Sequence, residues 1–242
     1  MSHLCNDIAY EWSDAHRYSP APRHRRRIIY NIIGKLEFDS CLDAGCAQPY
    51  LLSGFIGRGK RVSGCDISGR VIDKNRNDFP GANFEIVDIS RSVYPGNKKF
   101  DLVISSEVLE HIADWQGAIR NLALMSGRYL LITVPSGKIY NIDRLVGHLR
   151  HYQAGELKEE LEKNGFTVIY HKRWGAPFHS LYKYLINAAG YKKTYERFAL
   201  RPYGPLKRLF SDILYVIFYF NDIFCRGSQL FMLAERNRGG GR

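Results

Sequence analysis

The chain lacks any apolar run that could cross a bilayer. Its longest uninterrupted stretch, Ile213 to Phe220, is bracketed by Asp212, Asn221 and Asp222, whereas a spanning helix needs about 20 apolar residues. Paired cysteines are lacking too. Cys5, Cys41, Cys46, Cys65 and Cys225 form no C-x-x-C, which argues against a zinc or disulfide scaffold and for reduced thiols in a cytoplasmic core. The first residues, Met1 to Trp12, carry acids and no long apolar centre, so no secretion signal is expected. Acids are scarce: 24 Asp and Glu face 35 Lys and Arg, a formal charge of +11.

One more shortage is informative. The stretch Ser40 to Tyr50 reads as a buried strand, a sharp turn at Gly45 and an apolar helical start at Tyr50-Leu51-Leu52. A strand that turns at glycine into a helix is how a parallel sheet makes a nucleotide pocket. The phosphate-cradling form of this loop is G-x-G-x-x-G. Here the run Gly45-Cys46-Ala47-Gln48-Pro49-Tyr50 has only the first glycine, which favours a nucleoside without phosphates. Asp43 just before the turn suits a cationic ligand. About 20 residues beyond Gly45, Arg61 to Asp66 ends in an acid, where a ribose is held through its hydroxyls.

Four motifs now stand in order. Leu42-Asp43-Ala44-Gly45-Cys46-Ala47 resembles the first motif of the class I S-adenosylmethionine-dependent methyltransferases, L-D-x-G-C-G-x-G. Gly64-Cys65-Asp66-Ile67-Ser68 is similar to the second, G-x-D-x-S. Asp88, in Phe84 to Ile89, resembles the acid after the third strand. Phe100 to Ile112 is similar to F-D-x-V-x-x-x-E-V-L-E-H. The resemblance covers residues 27–173 and the last strand near Leu230, and departs at Ala47 and Pro49, where glycines are usual. Pro49 removes an N–H and fixes φ.

The resemblance implies an α/β, Rossmann-like fold: a seven-stranded, mostly parallel sheet with helices on both faces, plus a helical insertion before the last strand. Strands are expected at 40–44, 61–66, 84–87, 101–105, 129–134, 166–172 and 229–234. Helices are expected at 28–33, 50–57, 69–77 (capped by Ser68), 113–125 and 155–164. The expected organisation is an N-terminal arm over 1–26, a core over 27–173, a basic and apolar insertion over 174–227, the last strand in 228–236 and a disordered tail over 237–242. Between Lys172 and Arg208 nine Lys and Arg face one acid, Glu196. Three readings of that insertion stay open: a buried cap helix, a wall for a greasy acceptor, or a contact with a membrane surface. The run Arg23 to Arg27 suits a solvated face or a phosphate contact.

The implied cofactor is S-adenosylmethionine, leaving S-adenosylhomocysteine. By the resemblance, Asp43, Gly45 and Ala47 face its methionyl part, Asp66 takes the ribose, Ile67 packs on adenine, and Asp88 accepts the adenine amino group beside Ile89. Ser106 and Glu107 face the methionine or the acceptor. Asp101 begins its strand and lies at the opposite end. A sulfonium methyl is already electrophilic, so positioning is the chief task. A hydroxyl acceptor also benefits from a base, for which His111, His148 and His151 are the candidates. The last two sit in Gly147-His148-Leu149-Arg150-His151-Tyr152, similar to a G-H-x-R-H-Y/F segment of bacterial small-molecule members. No metal is called for. The expectation is methylation of a small molecule, at oxygen: an apolar or anionic metabolite, a lipid-linked sugar or a quinone-like compound. Alternatives are an RNA methyltransferase, which the absence of an N-P-P-Y motif argues against, and a non-catalytic cofactor-binding partner subunit. The expected location is cytoplasmic, with peripheral membrane contact through 174–227 open, and monomer and homodimer both remain open.

Overall fold

The computed structural model describes residues 13–193 and 201–237. The expectations placed on residues 1–12, Cys5 among them, and on the tail from residue 238 lie outside the described residues. Among the described residues, those in 13–36, 136–151 and 172–229 make one compact, helical unit. Those in 37–135, 152–171 and 230–237 make the other, the sheet unit.

Seven strands form one sheet: β1 (Ser40–Ala44), β2 (Arg61–Asp66), β3 (Asn83–Ile86), β4 (Phe100–Ser106), β5 (Ser126–Pro135), β6 (Phe166–Trp174) and β7 (Gln229–Arg236). Their spatial order is β3-β2-β1-β4-β5-β7-β6. The pairs β3–β2, β2–β1, β1–β4 and β4–β5 are parallel, with Asp43 opposite both Gly64 and Ile104. At the carboxyl end of β5 the Ser136 N–H donates to the Ser228 carbonyl, and the Asn237 N–H donates to the Gly165 carbonyl ahead of β6. β7 therefore runs antiparallel to both neighbours. β1 is buried along its whole length, as its small and apolar residues require of a central strand, and Asp43 is buried with them. At the far end of the sheet the Asp101 carboxylate accepts from the N–H groups of Asp39 and Ser40, tying the starts of β4 and β1 together.

Three helices flank the sheet: α3 (Gly69–Asp78), α4 (Trp115–Met125) and α6 (Ala154–Lys163). The Ser68 hydroxyl caps α3 through the Val71 N–H at 3.4 Å, and Asp114 caps α4 through Gly117 at 2.9 Å. Gly165, at φ 82°, closes α6. The expected helix over 50–57 is not there. Only a 3-10 turn, Leu52–Gly54, follows β1. Pro49 offers no donor, and Gly57 and Gly59 sit at φ 77° and 72°, so the segment cannot hold a helical ladder.

The helical unit holds α1 (Ser13–Tyr18), α2 (Pro20–Ile33), α5 (Asn141–Leu145), α7 (Phe178–Ala188) and α8 (Pro205–Phe218). The expected helix start at Ile28 is corrected to Pro20, since proline fits the first helical turn. The run Arg23 to Arg27 thus lies inside α2 and joins it to the segment around α8. Arg23 pairs with Asp212 and lies 3.9 Å over the Tyr215 ring; Arg27 pairs with Asp222 at 2.7 Å and lies 4.4 Å over Tyr219. Between them His24 is fully buried, stacked 5.0 Å from Trp174. Burial lowers its pKa to about 4, so the ring is neutral at pH 7. Its Nδ1 accepts from Arg27 at 3.1 Å and its Nε2–H donates to the Tyr215 carbonyl at 2.7 Å.

Candidate active site

The four motifs meet at the carboxyl ends of four adjacent parallel strands, where an open α/β sheet binds its ligand. At the end of β1 the N–H groups of Gly45 and Cys46 both donate to the Cys65 carbonyl, at 2.8 and 2.9 Å. Gly45 has φ 81°, and a Cβ there would run into the Val108 side chain. Only glycine serves at this position. Ala47 follows at φ 41°, a left-handed conformation in a residue with a Cβ.

Asp66 holds this loop. One carboxylate oxygen accepts from the Ala47 N–H and the other from the Ser68 N–H, both at 3.0 Å. Asn75 donates to the Ala47 carbonyl at 2.7 Å from the other side. Each carboxylate oxygen has a second lone pair that a ribose hydroxyl can use. Ile67, next to it, is 51% exposed and Ile86 54%, an apolar shelf beside the acid.

Asp43 is buried beneath the turn. Burial, then the nearby Asp66 carboxylate, push its pKa up to about 7. Burial also raises Asp66, against the pull of its N–H donors. Two acids packed together, with no cation paired to them among the described residues, fit a ligand that carries positive charge and hydroxyls, and the Gly45 turn gives the backbone room that such a ligand needs. The residues present therefore suit an S-adenosyl cofactor. Cys41, Cys46 and Cys65 are buried thiols, as the reading of the sequence had it.

Asp88 is more committed than expected: one oxygen accepts from both the N–H and the hydroxyl of Ser90, at 3.0 and 2.6 Å. The other lies 3.5 Å from Arg91. The neighbouring Ile89 is buried, and its carbonyl accepts from Asn121 at 2.9 Å. At the end of β4, Glu107 stands at φ 58° and its N–H donates to the Thr133 carbonyl. The Thr133 hydroxyl donates to the Glu107 carboxylate at 3.3 Å, so the Ser106 hydroxyl donates to Thr133 at 2.8 Å. Thr133 escaped the reading of the sequence; its signal is one hydroxyl within the apolar run Leu130 to Val134. His111 closes the 3-10 turn Leu109–His111 and is exposed. Fully buried Tyr152 pins that turn by donating to the Leu109 carbonyl at 2.8 Å.

His148 and His151 belong to the helical unit. They gather around Asp143, a residue that sequence reasoning missed. His151 Nδ1 lies 3.2 Å from the Gly137 carbonyl, which requires Nδ1–H. Its Nε2 lies 3.3 Å from His148 Nδ1 and 3.6 Å from Asp143. Ligand atoms of Asp143, His148 and His151 fall within 4.8 Å of one another, a spacing a metal ion could bridge. The Lys183 ammonium already stands 2.8 Å from Asp143 and neutralises the carboxylate a cation would seek, so the cluster is an ion pair beside two histidines in contact.

A methyltransferase-domain family profile matches residues 10–171. A curated relative, the ubiquinone biosynthesis O-methyltransferase of Nitrosomonas europaea, is 26% identical over 157 residues, covering 59% of this chain and 63% of the relative. The chain thus spans just under two thirds of that relative's length. Among solved structures, the [4+2]-cyclase SpnF aligns with TM-score 0.63 and 17% identity, covering 98% of this chain and 93% of that one. The N-methyltransferase NodS of Bradyrhizobium japonicum, bound to S-adenosyl-L-homocysteine, aligns with TM-score 0.60 and 14% identity over 98% and 97%. At such identities the structural likeness speaks to the fold.

Proposed function

Because this chain belongs to the methyltransferase-domain family, whose cofactor is S-adenosylmethionine, we propose that it methylates a small molecule at a hydroxyl oxygen, leaving S-adenosylhomocysteine. The observation that carries the reading is the row of Asp43, Gly45, Asp66, Asp88 and Glu107 at the carboxyl ends of β1 to β4, all within the matched span. When bound, the cofactor supplies an electrophilic methyl on a sulfonium. The chain's residues do the rest. Asp66 holds the ribose while it keeps the Ala47 loop in place. Asp43 balances the positive charge of the methionyl part. Ile67 and Ile89 bracket the adenine, with Asp88 at its amino group. Ser106, Thr133 and Glu107 orient the methionyl carboxylate-ammonium end or the acceptor.

The acceptor hydroxyl must lose its proton as the new C–O bond forms. His111, in the turn after β4, is the proposed base. Assaying His148→Ala and His151→Ala alongside His111→Ala tests the other two candidates. An apolar or anionic acceptor, quinone-like or lipid-linked, is favoured by the resemblance to the Nitrosomonas europaea enzyme. The RNA reading is weakened because Arg23, Arg27, Lys172 and Lys183 are engaged by Asp212, Asp222 and Asp143. The partner-subunit reading is weakened because Asp66 holds the Ala47 loop through the Ala47 N–H.

The test is calorimetric titration with S-adenosylhomocysteine, for wild type and Asp66→Ala, followed by a methyl-transfer screen of phenols, carboxylic acids, amines and RNA. Binding with a dissociation constant on the order of micromolar, lost in the variant, with transfer to a hydroxyl, is the expected result. Transfer only to amines or RNA overturns the oxygen assignment, and no binding by wild type overturns the whole reading.

A further inference from the structure

We propose that the outer face of α8, together with that of α7, rests on an anionic lipid surface. α8 has two apolar sides. One faces its own unit: Phe218 and Ser211 are buried, and the Ser211 hydroxyl donates to the Tyr18 carbonyl at 2.6 Å. The opposite side is a stripe of Leu206, Leu209, Phe210, Ile213 and Val216, continued by Phe220, at spacings of three and four residues. Leu206 is 85% exposed and Val216 61%. No charged residue interrupts the stripe. α7 packs against α8 and shows a similar face, Leu181, Tyr184 and Leu185, each more than half exposed. An exposed apolar patch of this extent marks a contact surface.

Charge selects the occupant. Arg173, Lys192, Lys193, Arg201, Arg208 and Arg226 are exposed in the same unit, and between Lys172 and Arg208 the sequence holds nine cations against one acid. Two copies of this chain would meet as surfaces of like net charge. A surface of anionic headgroups complements these cations while the stripe enters the acyl boundary. Exposed Tyr184 and Tyr219 suit the headgroup level. No helix among the described residues is long and apolar enough to cross a membrane, so the contact is with one leaflet.

The inference does not depend on methyl transfer, and its test needs neither cofactor nor acceptor. The full chain is sedimented with vesicles of phosphatidylcholine alone and with vesicles that also contain phosphatidylglycerol. Binding is expected only to the anionic vesicles, weakening as salt is raised. The double variant Leu209→Glu, Ile213→Glu should lower partitioning at least about tenfold with unchanged thermal unfolding, and Arg208→Glu should reduce the salt-sensitive part. Absence of binding to anionic vesicles, or binding indifferent to the double variant, overturns the proposal. So does a dimer in sedimentation equilibrium that the same double variant dissociates, since the face then belongs to a second copy.

Discussion

Asp43 holds two requirements in opposition. Its carboxylate is buried, and its pKa stands at about 7, against 3.8 for the free side chain. The unfolded chain therefore releases this proton first. Stability from this residue is full below pH 3.8, falls between 3.8 and 7, and is constant above. The ionised form costs up to roughly 4 kcal/mol at pH 8. Asp43→Asn removes that cost, so the variant should unfold at a higher denaturant concentration than wild type at pH 8, with the gap closing toward pH 5. A cationic cofactor reverses the preference by favouring the carboxylate. Affinity for S-adenosylmethionine should rise with pH, by up to about tenfold per unit, and level off above pH 7. Calorimetry in two buffers of different ionisation enthalpy would detect the proton released on binding. Equal affinity at pH 6 and 8 would remove Asp43 from the ligand's surroundings.

At the scale of elements, α2 is joined to α8 and to the 3-10 turn Tyr219–Ile223 after it by a cation, a ring and an acid at each of two levels. Removing the Arg27 side chain takes away the Asp222 pair, the stacking on Tyr219 and the donor to His24 Nδ1, leaving a buried ring nitrogen unmet. Arg27→Ala should cost about 2–4 kcal/mol of stability, read as a lowered midpoint in urea. Arg25→Ala gives up a 3.3 Å bond to Gln229 and leaves the donor to His24 in place, so it should cost less. Equal losses would show that the run acts through general charge. Nothing in the sequence announced this joint, because the partners of Arg23 and Arg27 lie nearly 200 positions away. The strands were legible, since each pairs an apolar run with a chemically marked end: Gly45, Asp66, Asp88, Glu107. The missing helix after β1 was misread because Tyr50-Leu51-Leu52 looks like a helical start, while Pro49 and the glycines behind it decide the outcome. Asp43, Gly45 and Asp66 could be read as a site because glycine and acid spacing follows from ligand chemistry. Thr133 and Asp143 act only through neighbours, which no local pattern reveals.

For the molecule as a whole, acid should be the more damaging direction. Burial lowers His24 to about 4 and His179 to about 3, from 6.5. Both are neutral in the fold, so the unfolded chain takes up their protons first. The stability they preserve is present above pH 6.5 and is lost as pH falls through 6.5 toward 4 and 3. They contribute on the order of 3 kcal/mol (His24) and 5 kcal/mol (His179) at most. Asp43 works in the opposite sense over 3.8 to 7 and offsets one of the two. Urea midpoints measured from pH 7.5 to 4.5 should therefore decline. In His179→Gln the decline should be shallower, and an unchanged slope would show that His179 is not neutral in the fold.

The placement of β7 bears on how the chain is made. Synthesis delivers β5 and β6 well before β7, yet β7 lies between them. Until it emerges, a nascent chain would carry a slot with two unsatisfied strand edges, each a template for pairing with another chain. Closing the slot requires contacts across about a hundred residues, a slow step for a folding sheet. β1 to β4, which carry most of the candidate cofactor site, need no such wait. The ligand pocket can thus assemble on the ribosome before the sheet is complete, and a bound cofactor at that stage would steady the half already made.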